Sequence, residues 1–207
     1  MPLHLKQQEI KQQEKTQYNN SCSRRRFLQL GLGATTALFV PNVLAKVATN
    51  SVAESKIELP ERKLSLSNLH TGEQLTATYW VEGQYQTGEL EAINRLLRDH
   101  RTGDVCQIDS ELLDLLNVLH QKMGGRKAFQ VISGYRSPKT NAALRQNSNG
   151  VAKKSFHMKG QAIDIRLPGC RLSDLRKAAL DCKAGGVGYY PKSDFIHVDT
   201  GPVRNWG

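Results

Sequence analysis

Two short segments near the end of this 207-residue chain constrain its fold more than anything else in it. One runs Ala162-Ile163-Asp164-Ile165-Arg166-Leu167, the other Phe195-Ile196-His197-Val198-Asp199, and both alternate apolar with polar residues. Side chains alternate across a strand, so period-two runs like these read as strands with one buried face. Ile163, Ile165 and Leu167 line a core, as do Ile196 and Val198, which leaves Asp164, His197 and Asp199 on the opposite face. If the two strands share a sheet, Asp164 and His197 face one cleft. His157 precedes the first strand, and Gly160 lets the chain turn back toward Asp164. Two imidazoles and one carboxylate then converge from three points. That is an N/N/O set with an open fourth position, the arrangement of a catalytic zinc. Polar residues that merely coat a solvated strand face would show the same parity, so spacing alone leaves both readings open.

The rest of the chain supplies a scaffold. Residues 64–69 alternate with the same period and end at His70-Thr71-Gly72, and 75–81 read as the partner strand of a hairpin. Leu90, Ile93, Leu96 and Leu97 share one face of a helix over 88–100. Asp109 or Ser110 caps a second helix, whose stripe is Leu112, Leu113, Leu116, Leu119 and Met123 and whose stop is Gly124-Gly125. Strands are expected at 128–132 and 187–190, a short helix at 141–146, and a helix over 172–183 closed by Gly185-Gly186. The fold class is α+β: a small, mostly antiparallel sheet with helices packed on one face. From residue 61 onward about 147 residues remain, enough to bury roughly two-thirds of the unfolded surface without disulfides. Cys170 and Cys182 could pair in an oxidising compartment or stay as free thiols.

The first 45 residues do not belong to that scaffold. A polar, Gln- and Lys-rich stretch leads to Ser23-Arg24-Arg25-Arg26-Phe27-Leu28, then to a mildly apolar run over 30–40, then to Val43-Leu44-Ala45. A basic region, a short apolar region and a small-residue cleavage site make a secretory signal. The arginines resemble a twin-arginine export signal, Ser-Arg-Arg-x-Phe-Leu. Residues 46–60 are weakly patterned and read as a linker, and 61–207 as the functional domain. The whole chain carries +10, of which the signal accounts for four, so +6 remains on the exported part. Export to the periplasm or cell envelope removes nucleic acid from the partners a basic chain would otherwise suggest. No apolar run of about 18 residues is present, which excludes an integral span in the mature form.

With these segments in view, a resemblance is clear. Ser155-x-His157-x-x-Gly160-x-Ala162-x-Asp164 followed by Asp194-x-x-His197 resembles the zinc peptidoglycan peptidases. That family groups D-alanyl-D-alanine carboxypeptidases and VanX-type dipeptidases with the Hedgehog signalling domain. Ser133-Gly134-Tyr135-Arg136-Ser137 is similar to the family's arginine-bearing segment. Gly186-Val187-Gly188-Tyr189-Tyr190-Pro191 and the run from Phe195 to Gly201 are closer still to the YcbK-like branch of murein endopeptidases, where twin-arginine signals also occur. The resemblance implies a Hedgehog/D,D-peptidase-like fold and zinc held by His157, Asp164 and His197. It makes Asp194 the acid/base carboxylate and Arg136 the electrophilic arginine. Asp194 stands three residues before His197, the wrong parity for a straight strand, so it belongs in a turn after Pro191-Lys192-Ser193. A solvated loop aspartate and a surface arginine are the plain alternatives for these two.

The function implied is hydrolysis of an amide in a peptidoglycan stem-peptide crosslink, such as one joining two diaminopimelate residues. Two rivals stand beside it: a D,D-carboxypeptidase trimming terminal D-alanine, and a non-catalytic wall-binding module that has kept its zinc. The expected partners are stem peptides and the twin-arginine export machinery.

Overall fold

The computed structural model describes residues 60–148 and 150–207. The signal expected at 1–45, and all but the last residue of the linker expected at 46–60, lie outside the described residues.

The hairpin forms from β1 (Glu61–Asn68) and β2 (Gln74–Val81), with Leu64 opposite Ala77 and Leu66 opposite Leu75. A two-residue strand, β3 (Gln84–Tyr85), extends it. Then come α1 (Thr87–Leu96), α2 (Ser110–Lys122), β4 (Phe129–Ser133) and α3 (Pro138–Asn147). A 3₁₀ turn at Phe156–Lys159 leads into β5 (Ala162–Arg166), followed by α4 (Leu172–Cys182) and β6 (Gly186–Tyr190). A second 3₁₀ turn, Pro191–Ser193, precedes β7 (Phe195–Asp199), and β8 (Arg204–Trp206) ends the chain. The eight strands form one sheet in the order β3-β2-β1-β4-β5-β7-β6-β8. Five of its seven pairings are antiparallel; β1 with β4 and β6 with β8 are parallel. The chain is α+β.

The apolar face of the sheet carries Leu64, Leu66, Tyr79, Val131, Ile163, Ile165, Ile196 and Val198, all buried. Against it pack Ile93 and Leu96 of α1, the leucine stripe of α2, and Leu175 and Ala179 of α4. Helix α3 does not join this core: its buried residues are Thr140 and Asn141. Among the described residues no helix is long and apolar enough to cross a membrane. Cys106, Cys170 and Cys182 are free thiols.

Several boundaries differ from the sequence expectation by one to four residues, and three of them have a clear local reason. Helix α1 stops at Leu96 because the Leu97 carbonyl turns outward to accept the backbone N–H of Tyr135 at 2.8 Å. Helix α3 begins at Pro138, three residues early, because Ser137 caps it and proline suits the first helical position. At the end of α4 it is Lys183, not a glycine, that takes the left-handed conformation, while Gly186 already belongs to β6.

Asp99, which carried no sequence signal, ties the end of α1 to the loop leading into α3. It is 1% exposed. Its carboxylate accepts the backbone N–H groups of Arg101 at 2.9 Å and Ser137 at 2.8 Å. Burial pushes its pKa up, but bonds from Thr140, Ser137 and Arg101 more than offset this and hold it well below the usual carboxylate range. A depressed carboxylate pKa stabilises the fold above the unfolded value of about 3.9 and loses that contribution as pH falls further. Asp99→Ala is expected to cost about 1.5–3 kcal/mol, the worth of hydrogen bonds to a charged group. Denaturant unfolding at pH 7 checks it, and the gap from wild type should shrink on acidification below pH 4.

Candidate active site

The polar face of the sheet is built at the junction of β5 and β7. These strands pair antiparallel with Asp164 directly opposite His197. Both side chains stand on the face away from the apolar core. His157 arrives from the 3₁₀ turn, whose first N–H bonds are arranged by the Ser155 hydroxyl, which accepts from the backbone N–H of His157. Gly160 closes that turn with φ +69°, a left-handed conformation, and has the Gln107 carbonyl packed against the place a Cβ would occupy. Gly160→Ala is therefore expected to cost about 1–3 kcal/mol from the backbone alone and to displace His157, read as a lowered unfolding temperature.

The three side chains meet closely. Nε2 of His157 lies 3.1 Å from Nδ1 of His197 and 3.3 Å from Oδ1 of Asp164, and that oxygen is 2.9 Å from Nδ1 of His197. All three are buried. Their outward atoms decide the proton positions. Nδ1 of His157 faces the Gly134 carbonyl at 2.8 Å, and a carbonyl only accepts, so Nδ1 carries the proton. Nε2 of His197 faces the Asp199 carboxylate at 2.9 Å and donates to it. The inward nitrogens of neutral His157 and His197 are therefore both lone pairs, and the third member of the triangle is a carboxylate oxygen. Three acceptors aimed at one another with no proton between them call for a cation. Ligand atoms about 2.0–2.1 Å from a tetrahedral zinc stand about 3.3 Å apart, close to the edges of this triangle. The residues present fit zinc.

Without a metal, only a proton can relieve this crowding of acceptors, and the titration of the metal-free cluster follows that demand. Burial pushes the Asp164 pKa up, but the two histidines more than offset it and keep it below the carboxylate range. For His197, burial pulls the pKa down, yet Asp164 and Asp199 raise it overall.

The cluster opens into a cleft of roughly 480 Å³. Arg136, Lys154 and Arg204 give it positive charge, and Phe156, Tyr190, Phe195 and Trp206 give it aromatic walls. Arg136 is nearly buried; its Nη2 donates to the Ser133 hydroxyl at 3.4 Å and stands 3.8 Å from Asp164 Oδ2. Its Nε is buried with no hydrogen-bond partner. Burial lowers its pKa, with Asp164 opposing. Asp194 sits at the end of the second 3₁₀ turn with φ +52°. Its side chain is 63% exposed and pairs with Nη1 of Arg166 at 3.1 Å, outside the cleft lining. Arg166 has the parity of Asp164 on β5, so Asp194 is held at the rim of the ligand-bearing face rather than in the ligand triangle.

Other residues stand apart from the cluster. His70 and His100 stack at 3.9 Å, and His120 Nε2 lies 2.7 Å from the Lys127 carbonyl. Asp199 is fully buried and bridges His197 to Arg204. Sequence reading passed over Arg204 and Trp206, because a three-residue strand has no period to detect.

A three-ligand N/N/O cluster, floored by a mostly antiparallel sheet and opening into a cleft, defines a metallopeptidase-type hydrolase. Comparison with known proteins makes the class specific. The family described as peptidoglycan L,D-endopeptidase MepK matches residues 56–206. A protein of Escherichia coli strain K12 named peptidoglycan L,D-endopeptidase MepK is 47% identical over 184 residues, covering 89% of this chain and 97% of the relative. A Haemophilus influenzae protein named probable peptidoglycan L,D-endopeptidase MepK is 41% identical over 186 residues, covering 89% and 95%. The chain belongs to the peptidoglycan L,D-endopeptidase MepK family and is a peptidoglycan hydrolase of the metallopeptidase class.

Proposed function

We propose that the chain is a zinc-dependent murein endopeptidase that hydrolyses an L,D-amide bond in stem-peptide crosslinks. The observation that carries this is the triangle of His157, Asp164 and His197, whose inward atoms are all acceptors. These three residues would hold the metal. Zinc, when bound, polarises the scissile carbonyl and acidifies water beside it. The chain's own groups do the rest. Arg136, with an unpartnered buried Nε beside the cluster, donates to the substrate oxygen on which negative charge develops. Asp194 takes a proton on its carboxylate from the attacking water and returns it to the leaving amine. That carboxylate pairs with Arg166 at the rim of the ligand-bearing face. Lys154 meets the carboxylates of the stem peptide, and the aromatic walls exclude water from the bond under attack.

The twin-arginine segment at 23–28 supports export by the twin-arginine machinery to the periplasm or cell envelope, where the substrate lies. Digestion of purified crosslinked muropeptides, followed by mass analysis, tests the reading. Expected is conversion of crosslinked dimers to monomers that stops on chelation and returns with zinc. Release of free D-alanine instead would show a carboxypeptidase, and an unchanged profile would show a binding module.

A further inference from the structure

Resting on the zinc reading above, we infer that Arg204 is a positioning residue for the metal. Acting through Asp199, it keeps the proton on Nε2 of His197 and so aims the Nδ1 lone pair into the ligand triangle.

Asp199 is completely buried, and its two oxygens are saturated. Oδ1 accepts the backbone N–H of Gly186 at 3.0 Å, that of Gly201 at 2.9 Å and Nη1 of Arg204 at 3.0 Å. Oδ2 accepts Nη2 of Arg204 at 2.7 Å and Nε2 of His197 at 2.9 Å. The two-pronged guanidinium fixes the plane of the carboxylate, and that plane sets where Oδ2 meets the imidazole. Asp199 without Arg204 would be a buried anion lacking its cation, free to rotate about its side chain and to draw water in. His197 would then lose its orienting partner on the side opposite the metal. Partners that orient a ligating histidine govern metal affinity as well as activity.

Arg204 is itself held in place. Its Nη1 also donates to the Pro202 carbonyl at 2.9 Å. The guanidinium lies 5.2 Å from the Phe156 ring centre and 5.1 Å from that of Trp206. Strand β8 seats it by pairing Arg204 with Gly186 of β6. A Cβ at Gly186 would stand 2.6 Å from Asp199 Oδ2, so glycine there makes room for the pair. Trp206, two residues on, packs its ring 5.3 Å from that of His197. The last strand of the chain thus braces the ligand from behind.

A merely structural ion pair would lower the unfolding temperature when broken and leave the metal affinity of the folded chain unchanged. The test is zinc affinity of the full chain, by competition with a chromophoric chelator, for wild type, Arg204→Gln and Arg204→Lys. Far-UV circular dichroism verifies folding, and the visible spectrum of cobalt-substituted protein reports ligand geometry. Expected is a loss of about 10–100-fold in zinc affinity for Arg204→Gln, an altered cobalt spectrum, and partial recovery in Arg204→Lys. Affinity within twofold of wild type in folded Arg204→Gln overturns the inference and leaves the zinc reading standing. If Arg204→Gln does not fold, Arg204→Lys decides: a clear loss supports the inference, and wild-type affinity overturns it. A wild-type chain that takes up no zinc overturns both.

Discussion

Asp194→Ala is expected to cut turnover of crosslinked muropeptides by about 10²–10⁴-fold, the usual worth of a positioned proton carrier, while zinc binds with unchanged affinity. The split between the two readouts follows from where the structure puts this residue. Asp194 touches none of the three ligands, and its one ion pair, with Arg166, is exposed. Exposed pairs of this kind contribute about 0–1 kcal/mol, so the variant should fold normally. Steady-state kinetics on purified muropeptides and a chelator titration check both halves. A fall in kcat with KM nearly constant is expected, since the carboxylate acts on the transition state and not on substrate binding. For a wall-binding module the substitution would be silent in every assay. A kcat within twofold of wild type would assign the proton transfer to another group.

The parity of two strands made much of the fold legible. Ile163 and Ile165 on one face of β5, with Ile196 and Val198 on the same face of β7, had to meet a core, and the sheet joins these strands as neighbours. The hairpin and the leucine stripe of α2 were legible for the same reason: long periodic segments announce which side is buried. What escaped was everything set by contacts between distant segments. Asp99 sits among polar turn residues, and only the approach of Ser137 explains its burial. Strand β8 is three residues long and exists because β6 offers it an edge and Asp199 offers Arg204 a partner. The proton positions on His157 and His197 were invisible too, since they depend on the Gly134 carbonyl and the Asp199 carboxylate lying behind the rings. Sequence parity brings Asp164 and His197 to one cleft; the atoms behind the imidazoles turn two ring lone pairs toward the Asp164 carboxylate, a donor set that fits a cation.

That fit leads to the other large effect. Asp164→Asn is expected to abolish activity and the stabilisation by zinc, yet leave the metal-free protein no less stable than wild type. Zinc at about a thousand times its dissociation constant should stabilise the wild-type fold by about 4.1 kcal/mol, and the variant should show no such gain. An amide is a poor zinc ligand and brings no negative charge. The metal-free comparison is the sharper part. In wild type, with both imidazoles neutral, Oδ1 of Asp164 meets two lone pairs at 2.9 and 3.3 Å with nothing to share. Asparagine is close in shape and supplies an N–H in the same place, which either nitrogen can accept. Against this stands the lost attraction between Asp164 and Arg136. At 3.8 Å that contact is longer than a hydrogen bond, and the asparagine carbonyl replaces part of it. Thermal unfolding at pH 9, with chelator and then with excess zinc, separates the terms. Without metal, the variant should unfold at the wild-type temperature or above it; with zinc, only the wild type should move. A metal-free variant that unfolds several degrees below wild type would mean that the pairing with Arg136 outweighs the crowding of acceptors, and that the triangle is at rest without its cation.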